Sequence, residues 1–445
     1  MIHRAFQARE GGAARAVAAR AISILASFLL TIVVARLLGV EAAGSYFLVF
    51  TTLAVVATFG RFGTDNLALK ICGGNSSNVR LELGYSAAIA AIASVVGIVL
   101  IFLGVHAAGF SLPGFDAAWT LAVLAAVIPQ VFAVLAGAVL RGRGHLAMGI
   151  IAELGSIPVL SIAILWALSL FGTLDVTAAL LSVAVASWLT AMWAVPAAIV
   201  VLRGEATPLA ASDMGGFLGF VRSRSRQLTS MMGTSLLFYV LTWSPLYALS
   251  FMSSLANVSY FTTAARLANL VSLIPSLQVA YLAPSFARFF HRGDLVSLNA
   301  MCRRAVRQAG ALLLLPVAVL SIGAVPAVSL LYGSEFEPAA GPLAVLAVGA
   351  LVVALAGQVN QLMLLCDLES QALLLNVLLV FLWATLGLWV AAQFGAIGVA
   401  WFSAAINALY AVSAAWLLRA RRGIHSYLAL SLRRVGQKGT SGLST

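Results

Sequence analysis

Apolar stretches recur along the whole chain, and short segments carrying charges or glycines separate them. Each stretch is about 20 residues long, which is enough to cross a hydrocarbon core of about 30 Å as one α-helix. The pattern predicts twelve such helices. They are expected at Ala18–Leu38, Ala43–Gly60, Gly84–Val105, Ala117–Leu140, Leu146–Leu170, Val176–Val201, Gln227–Met252, Asn257–Ala287, Gln308–Leu331, Ala339–Leu365, Gln371–Ala392 and Ala396–Leu418.

Composition supports a membrane protein. Of 445 residues, 62% are hydrophobic and only 9% are charged. Too little polar surface is available to cover a water-facing globule of this size. The expected fold class is therefore an all-α polytopic membrane protein.

Basic residues predict the orientation of the chain. Of the 26 Lys and Arg residues, all except Arg36 and Arg266 lie before helix 1 or in its first turn, after helix 12, or in alternate connections between helices. The remaining connections are uncharged or acidic. Cytoplasmic loops carry the basic excess, so both termini are expected in the cytoplasm. The net charge of +12 then reflects orientation and contact with anionic membrane lipids, and no nucleic-acid partner is expected.

The basic N-terminus could also be interpreted as a transit peptide or a cleaved signal. An uncleaved first helix is preferred, because that helix makes the number of crossings even.

The two halves of the chain carry short matching segments in the same order. Gly44-Ser45-Tyr46-Phe47 matches Val258-Ser259-Tyr260-Phe261, and Phe171-Gly172 matches Phe394-Gly395. This order predicts two six-helix lobes related by a parallel repeat, about an axis along the membrane normal. The predicted domains are an N-terminal lobe (1–202), a basic linker (203–226), a C-terminal lobe (227–420) and a basic tail (421–445).

Several segments resemble one family over nearly the whole chain. They run from Ala35 to Tyr46, from Ser259 to Leu267, from Leu282 to Phe286, from Leu331 to Phe336 and from Phe394 to Ala400. They resemble the polysaccharide transporters, which are the Wzx-type flippases of the MOP exporter superfamily. One departure is Ser244-Pro245 in helix 7, where many relatives carry an aspartate.

The resemblance implies a MOP/MATE-like fold and a location in the bacterial inner membrane. It also implies translocation of a polyprenyl-pyrophosphate oligosaccharide by alternating access, for export of polysaccharide or of the O-antigen of lipopolysaccharide. The expected partners are the lipid-linked oligosaccharide, membrane lipids and other polysaccharide-assembly proteins.

Cations at membrane depth are candidates for binding a pyrophosphate. Arg suits this role because its charge is permanent and its donors form a planar fork. Fifteen uncharged residues separate two of the arginines of helix 1. They span about 22 Å of helix, less than the hydrocarbon core, so at least one guanidinium must snorkel to the interface or face a wet cavity. The candidates for a cationic lumen are Arg20, Arg36, Arg61, Lys70 and Arg266.

Acids and amides within the helices are the other candidates. Glu153 is a carboxylate well inside an apolar stretch, which indicates a proton or cation relay, or else a structural pair with Arg143 or an arginine of helix 1. Asp65 is a second coupling candidate, or a local ion pair with Arg61. The amides of Gln130, Gln358 and Asn360 could bind sugar hydroxyls or join helices by hydrogen bonds.

Other functions remain as alternatives. A cation-coupled multidrug antiporter of the same superfamily would be expected to carry acids in helices 1 and 7, which hold none here. A major-facilitator transporter would usually show a charged glycine turn that Gly60-Arg61-Phe62-Gly63 does not fit. A membrane polysaccharide polymerase or ligase generally needs large acidic outer loops.

Scattered histidines and three distant cysteines predict no metal site, catalytic triad or disulfide, and no cofactor is expected.

Overall fold

The computed structural model describes most of the chain. The described residues are 2–73, 78–107, 117–170, 172, 174–203, 216–275, 278, 282, 286, 288–290, 292–366 and 368–426. Within them the secondary structure is entirely helical. Asp116, which lies in one of the predicted acidic connections, is outside these residues, as are half of the predicted linker and most of the predicted tail.

Seven helices form the first half of the molecule, here called the N-half. They are α1 Ile2–Arg61, α2 Thr64–Gly73, α3 Val79–Ala107, α4 Ala117–Gly142, α5 Leu146–Ile150, α6 Ser156–Ser169 and α7 Val176–Leu202. A π-helical segment, Ile151–Gly155, joins α5 to α6.

The second half, here called the C-half, contains eight described helices. They are α8 Gly216–Met252, α9 Leu255–Val271, α10 Leu295–Ile322, α11 Ala324–Tyr332, α12 Ala340–Ala356, α13 Val359–Leu365, α14 Glu369–Leu382 and α15 Leu388–Arg422. A 3-10 turn, Ser334–Ala339, precedes α12, and a π-helical segment, Trp383–Gly387, joins α14 to α15.

The predicted fold class is confirmed. Eight helical runs among the described residues are long and apolar enough to cross a membrane. Two of these runs, Ala14–Arg61 and Ser370–Arg422, each contain two predicted helices. The two helices of each run join at Gly39 and at Gly395, where φ is +75° and +55°. Glycine has no Cβ and adopts positive φ readily, so the helix bends there without a loop.

Several predicted boundaries were wrong. Predicted helix 9 begins at Leu295 rather than Gln308, because the Asp294 carboxylate accepts a hydrogen bond from the Ser297 amide and caps the helix. That helix then breaks at Gly323. Predicted helix 10 divides at Gly357, where φ is +90°. Predicted helix 7 begins earlier, at Gly216, so the basic segment before it continues the same helix.

The bundle has two distinct ends. The basic face is the end where α1 stops at Arg61 and α7 at Leu202, since Phe62 and Leu202 pack against one buried cluster. The opposite face is the end where α1 and α15 bend at Gly39 and Gly395 and where α11 stops.

The two halves share a buried core near the opposite face. There, Val34 and Tyr46 of the N-half belong to one buried cluster with Leu267 and Tyr332 of the C-half. Towards the basic face, one cluster combines the N-half with Phe220 and Leu228 of α8, and another contains only C-half residues. Helix α8 therefore joins the two halves towards the basic face, where Arg224 also pairs with Glu82 of α3.

Candidate functional site

A cavity of about 170 Å³ lies between the two halves. Its walls come from α1, from the π-helical segment and from α9. The lining residues are Ser23, Ile24, Ser27, Phe28, Leu154, Arg266, Asn269 and Leu270. Because residues of both halves form its walls, the cavity would change shape if the halves moved relative to each other. It is therefore the candidate site.

Arg266 is the one charged residue in this lining. Its guanidinium carbon lies 5.6 Å from the centre of the Trp243 ring of α8, in cation–π contact. None of the salt bridges between described residues involves Arg266. A permanent cation is thus held at membrane depth by an aromatic face, and its charge is available to an anionic ligand.

Aromatic side chains close the cavity towards the opposite face. Tyr332 of α11 packs edge-on against Phe28, with ring centres 6.5 Å apart. The Tyr332 hydroxyl lies 3.5 Å from the Thr31 hydroxyl of α1. Phe336 continues the layer and packs against Tyr332 and Tyr260. This layer separates Arg266 from the opposite face.

Two backbone contacts between the halves complete that closure. Arg36 of α1 donates hydrogen bonds to the carbonyl oxygens of Leu331, at 2.7 Å from Nε, and of Leu330. These carbonyls belong to the last turn of α11, where a cation is favoured by the helix dipole. At Gly44, an added Cβ would overlap the carbonyl oxygen of Leu255, so only glycine permits this approach of α1 to α9. Arg36 therefore joins the two halves and does not line the cavity.

Glu153 lies in the π-helical segment, next to the cavity residue Leu154. Its carboxylate pairs with the Arg141 guanidinium of α4 at 2.9 Å, and both side chains are largely buried. The partner is therefore Arg141, and not the Arg143 or helix 1 arginine considered from the sequence. Single π-turns frequently mark functional sites in helices, because one extra residue reorients the side chains that follow.

Four further candidates belong to α1 or to α2: Arg20, Arg61, Asp65 and Lys70. Arg61 forms an ion pair with Asp65 at 3.2 Å, one turn further along the chain. The charges of Arg61, Asp65 and Arg20 all act on Glu153. Lys70 is exposed on α2 and does not line the cavity. The structure thus pairs Arg61 with Asp65, and it places both residues and Arg20 in the same half as Glu153.

The amide candidates lie away from the cavity. Gln358 donates a hydrogen bond to the Pro275 carbonyl oxygen at 3.2 Å, and Asn360 accepts one from the Tyr410 hydroxyl at 3.0 Å. Both amides therefore join segments of the C-half. The Gln130 side-chain oxygen is buried in α4 and has no hydrogen-bond partner among the described residues, and Gln130 does not line the cavity.

Sequence reasoning missed Arg141 and Trp243. For Arg141, the spacing of two glycines in the sequence was a usable signal. Gly137 precedes Arg141 by four residues, and Gly149 precedes Glu153 by four. A Cβ on Gly149 would lie only 2.5 Å from the Gly137 carbonyl oxygen, so the two helices cross closely there. Glycines at this spacing let membrane helices approach, which brings the two charges together one turn later.

Comparisons with known proteins give the fold. No protein-family model and no curated protein matches the chain. Solved structures do match. A lipid II flippase MurJ in an inward closed conformation superposes with a TM-score of 0.69 at 11% identity, covering 90% of this chain and 86% of that one.

Two multidrug transporter structures also match. An inward-facing MATE family transporter of the MOP superfamily has a TM-score of 0.65 at 18% identity, covering 90% of this chain and 94% of that one. A mutant of the Vibrio cholerae MATE transporter VcmN has a TM-score of 0.64 at 16% identity, covering 93% and 97%. The chain is a multi-pass membrane protein with the fold of MOP-superfamily transporters.

Proposed function

We propose that this protein is a flippase that moves a polyprenyl-pyrophosphate oligosaccharide across the bacterial cytoplasmic membrane, for export of a surface polysaccharide. The glycan and pyrophosphate would cross between the two halves, while the prenyl tail stays in the bilayer. Rocking of the halves would expose the cavity to each face in turn. The coarser function, transport by a MOP-type protein, rests on the fold.

The observation that carries this proposal is the placement of Arg266. A cation at membrane depth is costly, and it is retained where it has a ligand or a partner. Here the cation faces the cavity between the halves, and the described salt bridges do not include it. An anionic headgroup would supply the missing countercharge. A cationic drug would be repelled at the same place.

A multidrug antiporter is the second candidate, since MATE transporters share this fold. The observation in its favour is Glu153, a buried acid beside the cavity. The pairing of Glu153 with Arg141 makes the antiporter function less favoured, because an acid neutralised by an arginine attracts a cationic substrate less. For that reason the anionic substrate is preferred.

The orientation is part of the proposal. Both termini, and with them the basic face, would lie in the cytoplasm, since cytoplasmic loops carry the basic excess. Reporter fusions after Ser254, Glu337 and Gly395 should then be active outside the cell, and a cytoplasmic signal at two of these sites would overturn the orientation.

The test of the function uses Arg266 variants in a deletion strain. Deletion should deplete the surface polymer and leave its lipid-linked precursor on the cytoplasmic leaflet. Wild type should restore export, Arg266→Ala should not, and Arg266→Lys should restore it partly, because lysine keeps the charge without the planar fork.

The matched control is Arg15→Ala, an exposed arginine of the same helical bundle outside the cavity. It should restore export fully. If all variants restore export equally, Arg266 does not bind the headgroup. If deletion leaves surface glycans intact and sensitises cells to cationic drugs, the antiporter is the correct function. A precursor that is flipped but never polymerised would indicate a polymerase or ligase.

A further inference from the structure

A second and larger cavity, of about 480 Å³, lies in the N-half alone. Its floor is α4, with Phe132, Leu135 and Val139, and its walls are α3 and α7. The lining is almost entirely apolar. Gly84 of α3 and Ile199 of α7 are exposed at its rim, so the cavity is a groove on the outer surface of the bundle.

Two arginines stand at the basic-face end of this groove. Arg80, in the first turn of α3, donates from Nε and Nη2 to the Leu202 carbonyl oxygen, at 2.8 and 2.6 Å. It thereby ties α3 to the end of α7. Arg203 follows as the C-terminal cap residue of α7 and is exposed. The groove lining contains both arginines and no acid.

This combination matches one kind of molecule. An apolar groove takes a hydrocarbon chain, and two guanidiniums at the level where helices end take a phosphate headgroup. The groove shares no helix with the cavity between the halves, which is lined by α1, the π-helical segment and α9. The occupant therefore has no need to be the transported molecule.

We propose that this groove, which we call the α3–α7 groove, is a binding site for one resident anionic phospholipid of the leaflet next to the basic face. One acyl chain lies along α4, and the headgroup phosphate contacts Arg80 and Arg203. Such a lipid fills the space between α3 and α7 on the surface of the N-half.

The test measures lipid retention by the purified full-length protein in detergent, by native mass spectrometry with added phosphatidylglycerol or phosphatidylcholine. Wild type should retain one phosphatidylglycerol in preference to phosphatidylcholine. Gly84→Leu should abolish that retention, because a Cβ on Gly84 meets no atom within 4 Å and the new side chain fills open groove. Gly233→Leu is the matched control, since Gly233 is also exposed with nothing within 4 Å and lies on α8, outside the groove.

The headgroup contact is tested separately by Arg203→Gln. One arginine near a charged headgroup corresponds to about a fivefold change in affinity, so phosphatidylglycerol should bind about fivefold more weakly. Phosphatidylcholine should lose less affinity, because its own choline balances the charge of its phosphate. Arg203 is exposed, so this variant decides the question even if Gly84→Leu does not fold.

Three results would overturn the inference. The first is equal retention of the two lipids by wild type. The second is unchanged phosphatidylglycerol retention in folded Gly84→Leu together with unchanged affinity in Arg203→Gln. The third is displacement of the lipid by a polyprenyl-pyrophosphate oligosaccharide, which would make the groove a site for the tail of the transported molecule.

Discussion

Replacing Arg36 by glutamine should open the bundle at the opposite face. In the structure its guanidinium joins α1 of the N-half to the last two carbonyls of α11 in the C-half. Any conformation open at the opposite face must separate these two elements. The contact therefore stabilises the closed arrangement and contributes nothing to the open one.

The size of the effect follows from the bonds lost. A hydrogen bond to a charged group is worth about 1.5–3 kcal/mol, and a cation at a helix C-terminus adds about 0.3–1 kcal/mol. Arg36 is exposed, so water recovers part of this energy. A net loss of about 1–3 kcal/mol remains, which shifts the ratio of open to closed molecules by about 5- to 150-fold.

The assay is a distance distribution between spin labels at Glu41→Cys and Glu337→Cys, in a background whose native cysteines are replaced. Both positions are exposed, one in each half near the opposite face. Arg36→Gln should move population from the short to the long distance, and Arg36→Lys should give a smaller shift. Arg15→Gln, an exposed arginine elsewhere on α1, should change nothing. An unchanged distribution in Arg36→Gln would show that this contact does not hold the halves together.

Further predictions concern the ion pair, the π-helical segment and a helix cap. Glu153→Gln should leave the Arg141 charge without its partner and lower the thermal stability of the purified protein; unchanged stability would show that the pair is not structural. Gly155→Val should lower transport more than abundance, because even a Cβ would lie 2.6 Å from the Ser23 hydroxyl at the cavity wall; equal losses would indicate general misfolding. Hydrogen bonds from Ser297 lower the pKa of Asp294, so its cap stabilises the fold above the ordinary aspartate pKa and is lost as pH falls through the lowered value. Asp294→Asn should remove that part of the pH dependence of the melting temperature, and an unchanged profile would refute this.

Much of the fold was predictable because hydrocarbon imposes a strict length on each helix. The apolar stretches and the alternation of basic connections predicted the helices and their order. The breaks at Gly323 and Gly357 were not predicted, since a single glycine inside an apolar stretch does not distinguish a bend from a continuous helix. The sequence also did not predict that the part of the basic linker from Gly216 onwards continues predicted helix 7 as one helix, α8.

The site was predictable only in its residue types. Charges within apolar stretches made Arg266, Glu153 and Arg36 candidates for binding, coupling or pairing. The surroundings of these three side chains depend on contacts between helices that are distant in sequence. The hydrophobic pattern along the chain does not predict such contacts. Thus Arg266 lies in the cavity, Glu153 pairs with Arg141, and Arg36 caps α11.

The central claim is tested most directly by translocation in vesicles that contain only the purified protein. A labelled polyprenyl-pyrophosphate oligosaccharide is placed in one leaflet, and its arrival in the other is followed with a glycan-cleaving enzyme that cannot cross the bilayer. We predict that wild type makes the glycan accessible on the far side, that Arg266→Ala does not, and that Arg15→Ala behaves as wild type. Absence of glycan translocation, with uptake of a cationic dye driven by an ion gradient in the same vesicles, would contradict the account.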